Sequence, residues 1–167
     1  MYRTIRDVLD DWQYEHEMTR KVFGCLTDAA LEQRVSPEGR RLGTLAWHIV
    51  VSLGEMINRT GLQLDGPGEA SREPASATAI AEAYARSGES LARQIKDLWK
   101  DSDLDQKVEM YRGEHWEKRT VVQALIRHQV HHRAQMTVLM RQAGLRVIGC
   151  YGPSREEWAE YGMAPQQ

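Results

Sequence analysis

Apolar residues recur every three or four positions along most of this chain, which is the spacing of amphipathic helices. Four such segments alternate with runs rich in Gly, Pro and polar residues. We predict helices at 2–24, at 44–61, from 76 or 78 to 99 or 100, and at 120–143. No convincing set of alternating strands accompanies them, so the pattern predicts an all-α fold, a four-helix bundle.

Residues outside these segments predict how the helices begin, end and connect. Residues 64–74 contain two glycines and two prolines and predict a long connection between the second and third helices. Thr44 and Gly61 are expected to begin and end the second helix. Thr120 is expected to cap the fourth helix, with Gln123 completing a capping box.

Two further local elements are predicted near the C-terminal half. Residues 107–111 can form a brief extended piece between the third and fourth helices. A short C-terminal helix is expected from Ser154, because Glu157 stands in capping-box register with it.

Composition and charge limit the classes of function. A chain of 167 residues can bury its own core, and we expect 1–167 to form a single domain. Its 22 Lys and Arg residues nearly balance 24 Asp and Glu residues, and the net charge of −2 argues against nucleic acid or an anionic membrane as partner. With no signal-peptide pattern and no apolar run long enough to span a bilayer, a cytoplasmic location is expected. Cys25 and Cys150 are then free thiols, and neither has a neighbouring histidine to activate it.

Two histidines, His128 and His132, carry the strongest chemical signal. Their spacing of four residues places both imidazoles on one face of the predicted fourth helix, where they can supply two ligands to a metal ion. His48 is the best candidate for a third ligand, because it lies in the most apolar helical segment, where a buried histidine needs a partner. For His48 alone a core histidine bonded to a carbonyl is the alternative, but the pair makes a shared ion the more economical explanation.

The other histidines fit such a site less well. His131 is rotated by about 100° from His132 around the helix axis, and it is expected at the surface or in a subunit contact. His16 lies between two glutamates, a pattern typical of a solvated helix face. His115 is expected to be exposed in the irregular segment, with the mouth of a site as the alternative.

Three parts of the chain together resemble the DinB-like superfamily of small damage-inducible proteins: His48, the run at 128–135, and the tail at 151–154. The resemblance covers nearly the whole chain and implies a DinB-like four-helix bundle. It also implies that His48, His128 and His132 bind a divalent metal ion. Ala134 stands where many members have glycine, which leaves this ligand set unchanged. Some members of the superfamily are thiol S-transferases or isomerases that use bacillithiol, mycothiol or glutathione.

An open three-histidine site suggests a class of chemistry. Three neutral imidazoles leave at least one coordination position for water or substrate, as in catalytic rather than structural sites. The donor set accepts several divalent ions, of which zinc and nickel are expected first. The leading interpretation is a metal-dependent enzyme of the thiol S-transferase type, in which a low-molecular-weight thiol attacks a small electrophile. A metal-stabilised binding or structural protein without catalysis and a metal-dependent hydrolase stay open as alternatives.

Neighbouring polar residues are candidates for supporting roles. Glu55, seven residues beyond His48, is a candidate partner for a histidine ring or a general base, with an ordinary surface carboxylate as the alternative. Gln135, three residues beyond His132, is a candidate to orient that ring or a bound water. Arg133 is expected at the surface or in an ion pair, with a substrate carboxylate as the other candidate partner. The expected partners of the whole protein are a small-molecule substrate or thiol and a second copy in a homodimer.

Overall fold

Two packed pairs of helices form the body of the protein in the computed structural model, which describes residues 2–165. The four helices are α1 (Ile5–Phe23), α2 (Leu42–Ile57), α3 (Ala77–Leu98) and α4 (Lys118–Gln142). α2 packs along α4, α1 packs along α3, and contacts of α2 with α3 and of α1 with α4 close the bundle. The predicted all-α four-helix bundle is confirmed.

The core lies between the four helices and consists of apolar side chains with almost no exposed area. Its members with at most 1% exposure include Val8, Trp12, Ile49, Leu53, Ile80, Tyr84, Leu91, Ile95, Val122, Leu125, Met136 and Met140. Within each helix these positions repeat at intervals of three, four, seven or eleven residues, so the apolar stripes of the sequence become the buried faces. Burying each large apolar side chain stabilises the fold by about 1.5–3 kcal/mol.

Side chains cap α1 and α3. The Thr4 Oγ1 accepts a hydrogen bond from the Asp7 amide at 3.1 Å, and the Asp7 carboxylate accepts one from the Thr4 amide at 3.0 Å. The Ser76 hydroxyl accepts a hydrogen bond from the Ala79 amide at 3.3 Å, so the third helix begins where its sequence predicts. Each cap satisfies amides that the first helical turn leaves without partners.

α2 begins earlier than predicted. Its first residue is Leu42, whose amide donates a hydrogen bond to the Gln33 carbonyl at 2.9 Å. This backbone contact with the preceding segment replaces a side-chain cap, and the prediction that Thr44 caps the helix is wrong. Thr44 instead lies in the first turn, and its hydroxyl donates a hydrogen bond to the Glu73 carboxylate at 3.1 Å.

The start of α4 is also earlier than predicted, for the same physical reason. The helix begins at Lys118, whose amide donates a hydrogen bond to the Gln106 carbonyl at 2.9 Å. Glu117 precedes the helix without a side-chain cap, and the capping box predicted for Thr120 and Gln123 does not form. A local capping signal is therefore overridden by a backbone contact that the folded chain provides.

A long connection joins α2 to α3, as predicted. A 3₁₀ turn at Asn58–Thr60 extends α2, and Gly61 then reverses the chain with a φ of 94°. Gly61, which was predicted to end the second helix, therefore ends this 3₁₀ turn, whereas the α-helix itself ends at Ile57. Further along, the Asp65 amide donates a hydrogen bond to the Ser90 hydroxyl at 3.0 Å, which holds the connection against α3.

A small β-hairpin precedes α4. Strands β1 (Lys107–Glu109) and β2 (His115–Glu117) pair antiparallel, with Val108 opposite Trp116. The extended piece predicted at 107–111 corresponds to β1, whereas β2 was not predicted. The Arg59 guanidinium donates a hydrogen bond to the Met110 carbonyl at 2.9 Å, which holds the hairpin beside the end of α2.

The C-terminal segment ends in a single 3₁₀ turn, Trp158–Tyr161. The Glu157 carboxylate accepts a hydrogen bond from the Ser154 amide at 2.8 Å, which is one half of the predicted capping box. The predicted short C-terminal helix is therefore present as a 3₁₀ turn that begins beyond Glu157.

The structure also shows the state of the two cysteines and the length and hydropathy of the helices. Cys25 and Cys150 are free thiols, as predicted, and the structure shows that both are half-buried. Among residues 2–165, each helix falls short of the length or the hydropathy that crossing a bilayer requires.

The inner face of α1 differs from the prediction. Glu15 is only 4% exposed, and its carboxylate accepts a hydrogen bond from the Arg133 guanidinium at 2.7 Å. The half-buried His16 ring lies between Trp12 and Tyr84, with centroid distances of 5.6 and 5.1 Å. The predicted solvated face at His16 is wrong, because this ring packs between two aromatic side chains. The neighbouring Glu15 lies inside because the buried Arg133 on α4 supplies the opposite charge.

Candidate metal centre

Three histidines meet where α2 packs against α4. His48 projects from α2 towards His128 and His132, which lie one turn apart on α4. The His128 Nε2 atom lies 3.0 Å from the His48 Nε2 and 3.1 Å from the His132 Nε2. The packing of two helices that are distant in sequence therefore brings one nitrogen of each ring to a common point.

The spacing of these nitrogens fits a metal ion. One ligand atom from each of the three histidines lies within 4.8 Å of the others. Nitrogens bound at 2.0–2.1 Å in tetrahedral zinc sites stand about 3.3 Å apart, close to the two Nε2 separations here. All three donors are imidazoles, a set that suits zinc, nickel, cobalt and iron. The cluster can thus hold a divalent ion with little movement of its side chains.

The environment keeps these imidazoles neutral. Burial lowers the pKa of His48 and His132, and burial together with the neighbouring His132 and His48 rings lowers the pKa of His128 to about 4. Desolvation disfavours the charged imidazolium, and a second imidazolium beside the first would be repelled. At neutral pH each ring is therefore uncharged and has one nitrogen with a free lone pair, as metal ligation requires.

Gln135 contacts the cluster directly. Its Oε1 atom lies 2.8 Å from the His132 Nδ1, so this oxygen accepts a hydrogen bond from the Nδ1–H. A proton on Nδ1 leaves the Nε2 lone pair free to point at the common centre. The His128 Nδ1 is buried and has no hydrogen-bond partner among residues 2–165.

A cavity of about 510 Å³ opens beside His48 and His128. Its walls include Val51, Ser52, Glu55 and Met56 of α2, Ala124 of α4, Glu69 of the connection, and Tyr111 and Trp116 of the hairpin. Side chains from four separate parts of the chain thus enclose space next to the histidine nitrogens. A cavity of this size is in the range of sites for small molecules.

Glu55 lies in this cavity but is bonded to residues other than the histidines. Its Oε2 accepts a hydrogen bond from the Tyr111 hydroxyl at 2.8 Å, and its Oε1 lies 3.4 Å from the Arg59 guanidinium. Burial, the hydrogen bond to Glu55 and the charge of that carboxylate raise the pKa of Tyr111 to about 12. Glu55 is thus a carboxylate held in place at the cavity wall, and Tyr111 is a proton donor to it.

The sequence did not indicate Tyr111 and Trp116 as site residues. They enter the cavity only because the hairpin folds over the end of α2, and their rings pack edge-on with centroids 5.7 Å apart. The sequence showed only two aromatic residues near a glycine in a polar segment. That pattern does not indicate where in the fold their side chains lie.

The remaining candidates lie outside the cluster. His131 is exposed, and its ring packs edge-on against His132 without joining the three converging nitrogens. His115 is exposed on β2. Arg133 forms a buried ion pair with Glu15, so it cannot receive a substrate carboxylate. Burial raises the pKa of both cysteine thiols, which argues against their use as nucleophiles.

The family follows from comparison with known proteins. The model of the DinB family matches residues 1–167. The chain belongs to the DinB family. The resemblance predicted from His48, the run at 128–135 and the tail is thereby confirmed.

Relatives of this DinB-family chain include proteins of bacilli. It is 38% identical over 163 residues to the uncharacterized protein YrdA of Bacillus subtilis (strain 168), covering 98% of this chain and 97% of that protein. A crystal structure of a DinB-like protein from Bacillus cereus ATCC 10987 shares 40% identity with a TM-score of 0.87, covering 90% of this chain and all of that one. The Bacillus subtilis DinB-like protein YjoA, at 14% identity and a TM-score of 0.67 over 89% of this chain and 99% of its own, has the same fold.

Proposed function

We propose that this DinB-family protein binds one divalent metal ion, zinc or nickel, through the Nε2 atoms of His48, His128 and His132. The observation that carries this proposal is that the His128 Nε2 lies 3.0 Å from the His48 Nε2 and 3.1 Å from the His132 Nε2. Three unprotonated nitrogens at this spacing, with Gln135 setting the tautomer of one ring, match what a metal ion requires of its ligands.

We further propose that the protein is a thiol S-transferase-like enzyme that joins a low-molecular-weight thiol to a small electrophile. Three protein ligands leave a divalent ion an open position, and an ion there favours the deprotonated form of a thiol at neutral pH. The cavity of about 510 Å³ beside His48 and His128 provides room for the electrophile next to this position. Transfer then forms a sulfur–carbon bond, and the leaving group departs with the electron pair of the bond that breaks.

The chain's own residues supply the remaining parts of this chemistry. The Glu55 carboxylate accepts the thiol proton, and Tyr111 and Arg59 hold that carboxylate at the cavity wall. Val51, Met56 and Trp116 form an apolar wall that excludes water from the reacting atoms. Glu55 thus becomes a general base that acts on the bound thiol, rather than a hydrogen-bond partner of a histidine ring.

The first experiment measures the metal content of untagged protein by elemental analysis, for wild type and for His128→Ala. We expect about one ion per chain in the wild type and a loss of most of it in the variant, because a two-histidine site holds an ion weakly. His131→Ala is the matched control on the same helix, and it should keep the ion. A wild type without metal after reconstitution with zinc and nickel would refute the site.

Thiol binding distinguishes the enzyme from a structural metal protein. Cobalt-reconstituted protein titrated with mercaptoethanol should develop the absorption of sulfur bound to cobalt, since the open position accepts a thiol. If the ion is present but no thiol binds, and chelation mainly lowers the melting temperature, the ion is structural. That result would overturn the proposed transferase activity and leave the metal site standing.

A further inference from the structure

Arg40 is an exposed cation without a carboxylate partner in the described part of the chain. It lies two residues before α2, and none of the carboxylates in residues 2–165 lies within 4.0 Å of it. Its neighbours differ in this respect. The Arg41 guanidinium pairs with Glu32 and Glu73, and the Arg34 guanidinium donates a hydrogen bond to the Gly39 carbonyl at 2.8 Å.

Arg40 lines a second cavity, of about 360 Å³, at the other end of the α2–α4 interface from Glu55. Its other lining residues are Val35, Gly39, Leu45, Gln135, Val138 and Leu139. Gln135 belongs both to this cavity and to the metal centre, since its side chain is hydrogen-bonded to His132. The second cavity therefore adjoins the histidine cluster on the side away from the hairpin.

Arg40 gives its cavity a positive charge, and no carboxylate lines that cavity among the described residues. The cavity at the hairpin side instead carries the carboxylates of Glu55 and Glu69. The histidine cluster thus lies between a cationic end and an acidic end of one interface, and an anionic group is favoured only at the Arg40 end.

We propose that Arg40 binds a carboxylate of the ligand whose thiol occupies the three-histidine site. This inference rests on the proposed function and names the class of thiol that it uses, an acidic one. An arginine can hold a carboxylate by two parallel hydrogen bonds, and the apolar floor formed by Leu45, Val138 and Leu139 accommodates the alkyl part of the ligand. The acidic cavity on the opposite side is left for the electrophile.

The test uses cobalt-reconstituted full-length protein and two matched sets of thiols. Mercaptoacetate, mercaptopropionate and mercaptobutyrate carry a carboxylate at increasing distance, and mercaptoethanol, mercaptopropanol and mercaptobutanol are their neutral counterparts. Dissociation constants come from the sulfur-to-cobalt absorption. We expect Arg40→Gln to weaken the binding of at least one acidic thiol about tenfold and to leave its neutral counterpart unchanged, because a hydrogen bond to a charged group is lost.

Two further variants decide whether the effect belongs to Arg40. Arg40→Lys keeps the charge and should retain part of the preference, whereas Arg155→Gln removes an exposed arginine that lines neither cavity and should retain all of it. Equal acid-to-neutral ratios in wild type and Arg40→Gln would overturn the inference. So would an equal loss in Arg155→Gln, which would attribute the effect to net charge. If no thiol of either set binds the metal-loaded protein, the proposed function itself fails.

Discussion

At the scale of single residues, the metal centre depends on the protonation of each ring. A histidine nitrogen binds a metal only through its lone pair, so the second nitrogen of that ring must carry the proton. For His132 the Gln135 Oε1 fixes this arrangement, at 2.8 Å from the Nδ1. Burial of the cluster adds to the effect by lowering the pKa of each ring. The three histidines are thus prepared for an ion by groups that never touch it.

Gln135→Leu is therefore expected to weaken metal binding by about 10- to 100-fold without removing a ligand. The reason is that leucine has a similar size but cannot accept the proton of the His132 Nδ1. Competition with a chromophoric chelator measures the affinity. Gln142→Leu, an exposed glutamine near the end of the same helix, is the control and should match wild type. Equal affinities for Gln135→Leu and wild type would show that Gln135 does not orient the ring.

At the scale of elements, a buried ion pair joins α1 to α4 and to the C-terminal segment. The Arg133 and Glu15 side chains are 2% and 5% exposed, and Arg133 also donates a hydrogen bond to the Thr19 hydroxyl at 2.9 Å. The Tyr151 hydroxyl donates a hydrogen bond to the other Glu15 oxygen at 2.6 Å. Because both charged groups are removed from water, breaking this pair costs more free energy than breaking a pair at the surface.

Arg133→Met should lower the free energy of unfolding by about 3–5 kcal/mol, because it leaves the Glu15 carboxylate buried without a cation. The double variant Arg133→Met/Glu15→Leu should lose less than the single one, since it removes both charges. Urea denaturation measures both. Arg141→Met on the same helix breaks the exposed pair with Glu156 and should cost at most about 1 kcal/mol. A double variant less stable than the single one would contradict this account.

At the scale of the whole molecule, a half-buried histidine outside the metal centre makes stability depend on pH. Burial, and then the charge of Arg20, lowers the pKa of His16 from 6.5 to about 4, and neither ring nitrogen has a hydrogen-bond partner among residues 2–165. Facing residues of α3 include Tyr84 and, along the shared cavity, Glu89, Arg93, Lys96 and Asp97. Between pH 6.5 and 4 the unfolded chain binds a proton at His16 that the folded chain does not.

The free energy of unfolding should therefore fall as the pH drops through this range, and His16 contributes at most about 1.4 kcal/mol per pH unit. The His16→Phe variant keeps an aromatic ring between Trp12 and Tyr84 and should lose this part of the dependence. The measurement is urea denaturation of both proteins from pH 7.5 to 4.5 in chelator, so that the histidine cluster contributes equally. Parallel curves for the two proteins would show that His16 does not titrate differently on folding.

Local patterns in the sequence determined the helices and the most distinctive chemistry. The apolar stripes predicted four helices, because a 3.6-residue period depends only on neighbours along the chain. The pair His128 and His132 was visible for the same reason, since a separation of four residues on a helix fixes their common face. His48 required one further step, the expectation that a histidine in an apolar helix needs a partner, and the fold brings it to that pair.

Features that depend on contacts between different segments of the chain could be seen only in the tertiary structure. The starts of α2 and α4 follow from backbone hydrogen bonds to Gln33 and Gln106, which outweigh the capping signals of nearby threonines. Glu15 lies inside the bundle because Arg133 meets it across more than a hundred residues of chain. Tyr111 reaches the cavity through a hairpin whose second strand no local pattern predicted. In each case a contact with another part of the chain decides which local conformation is the most stable. Such contacts form only when the chain folds.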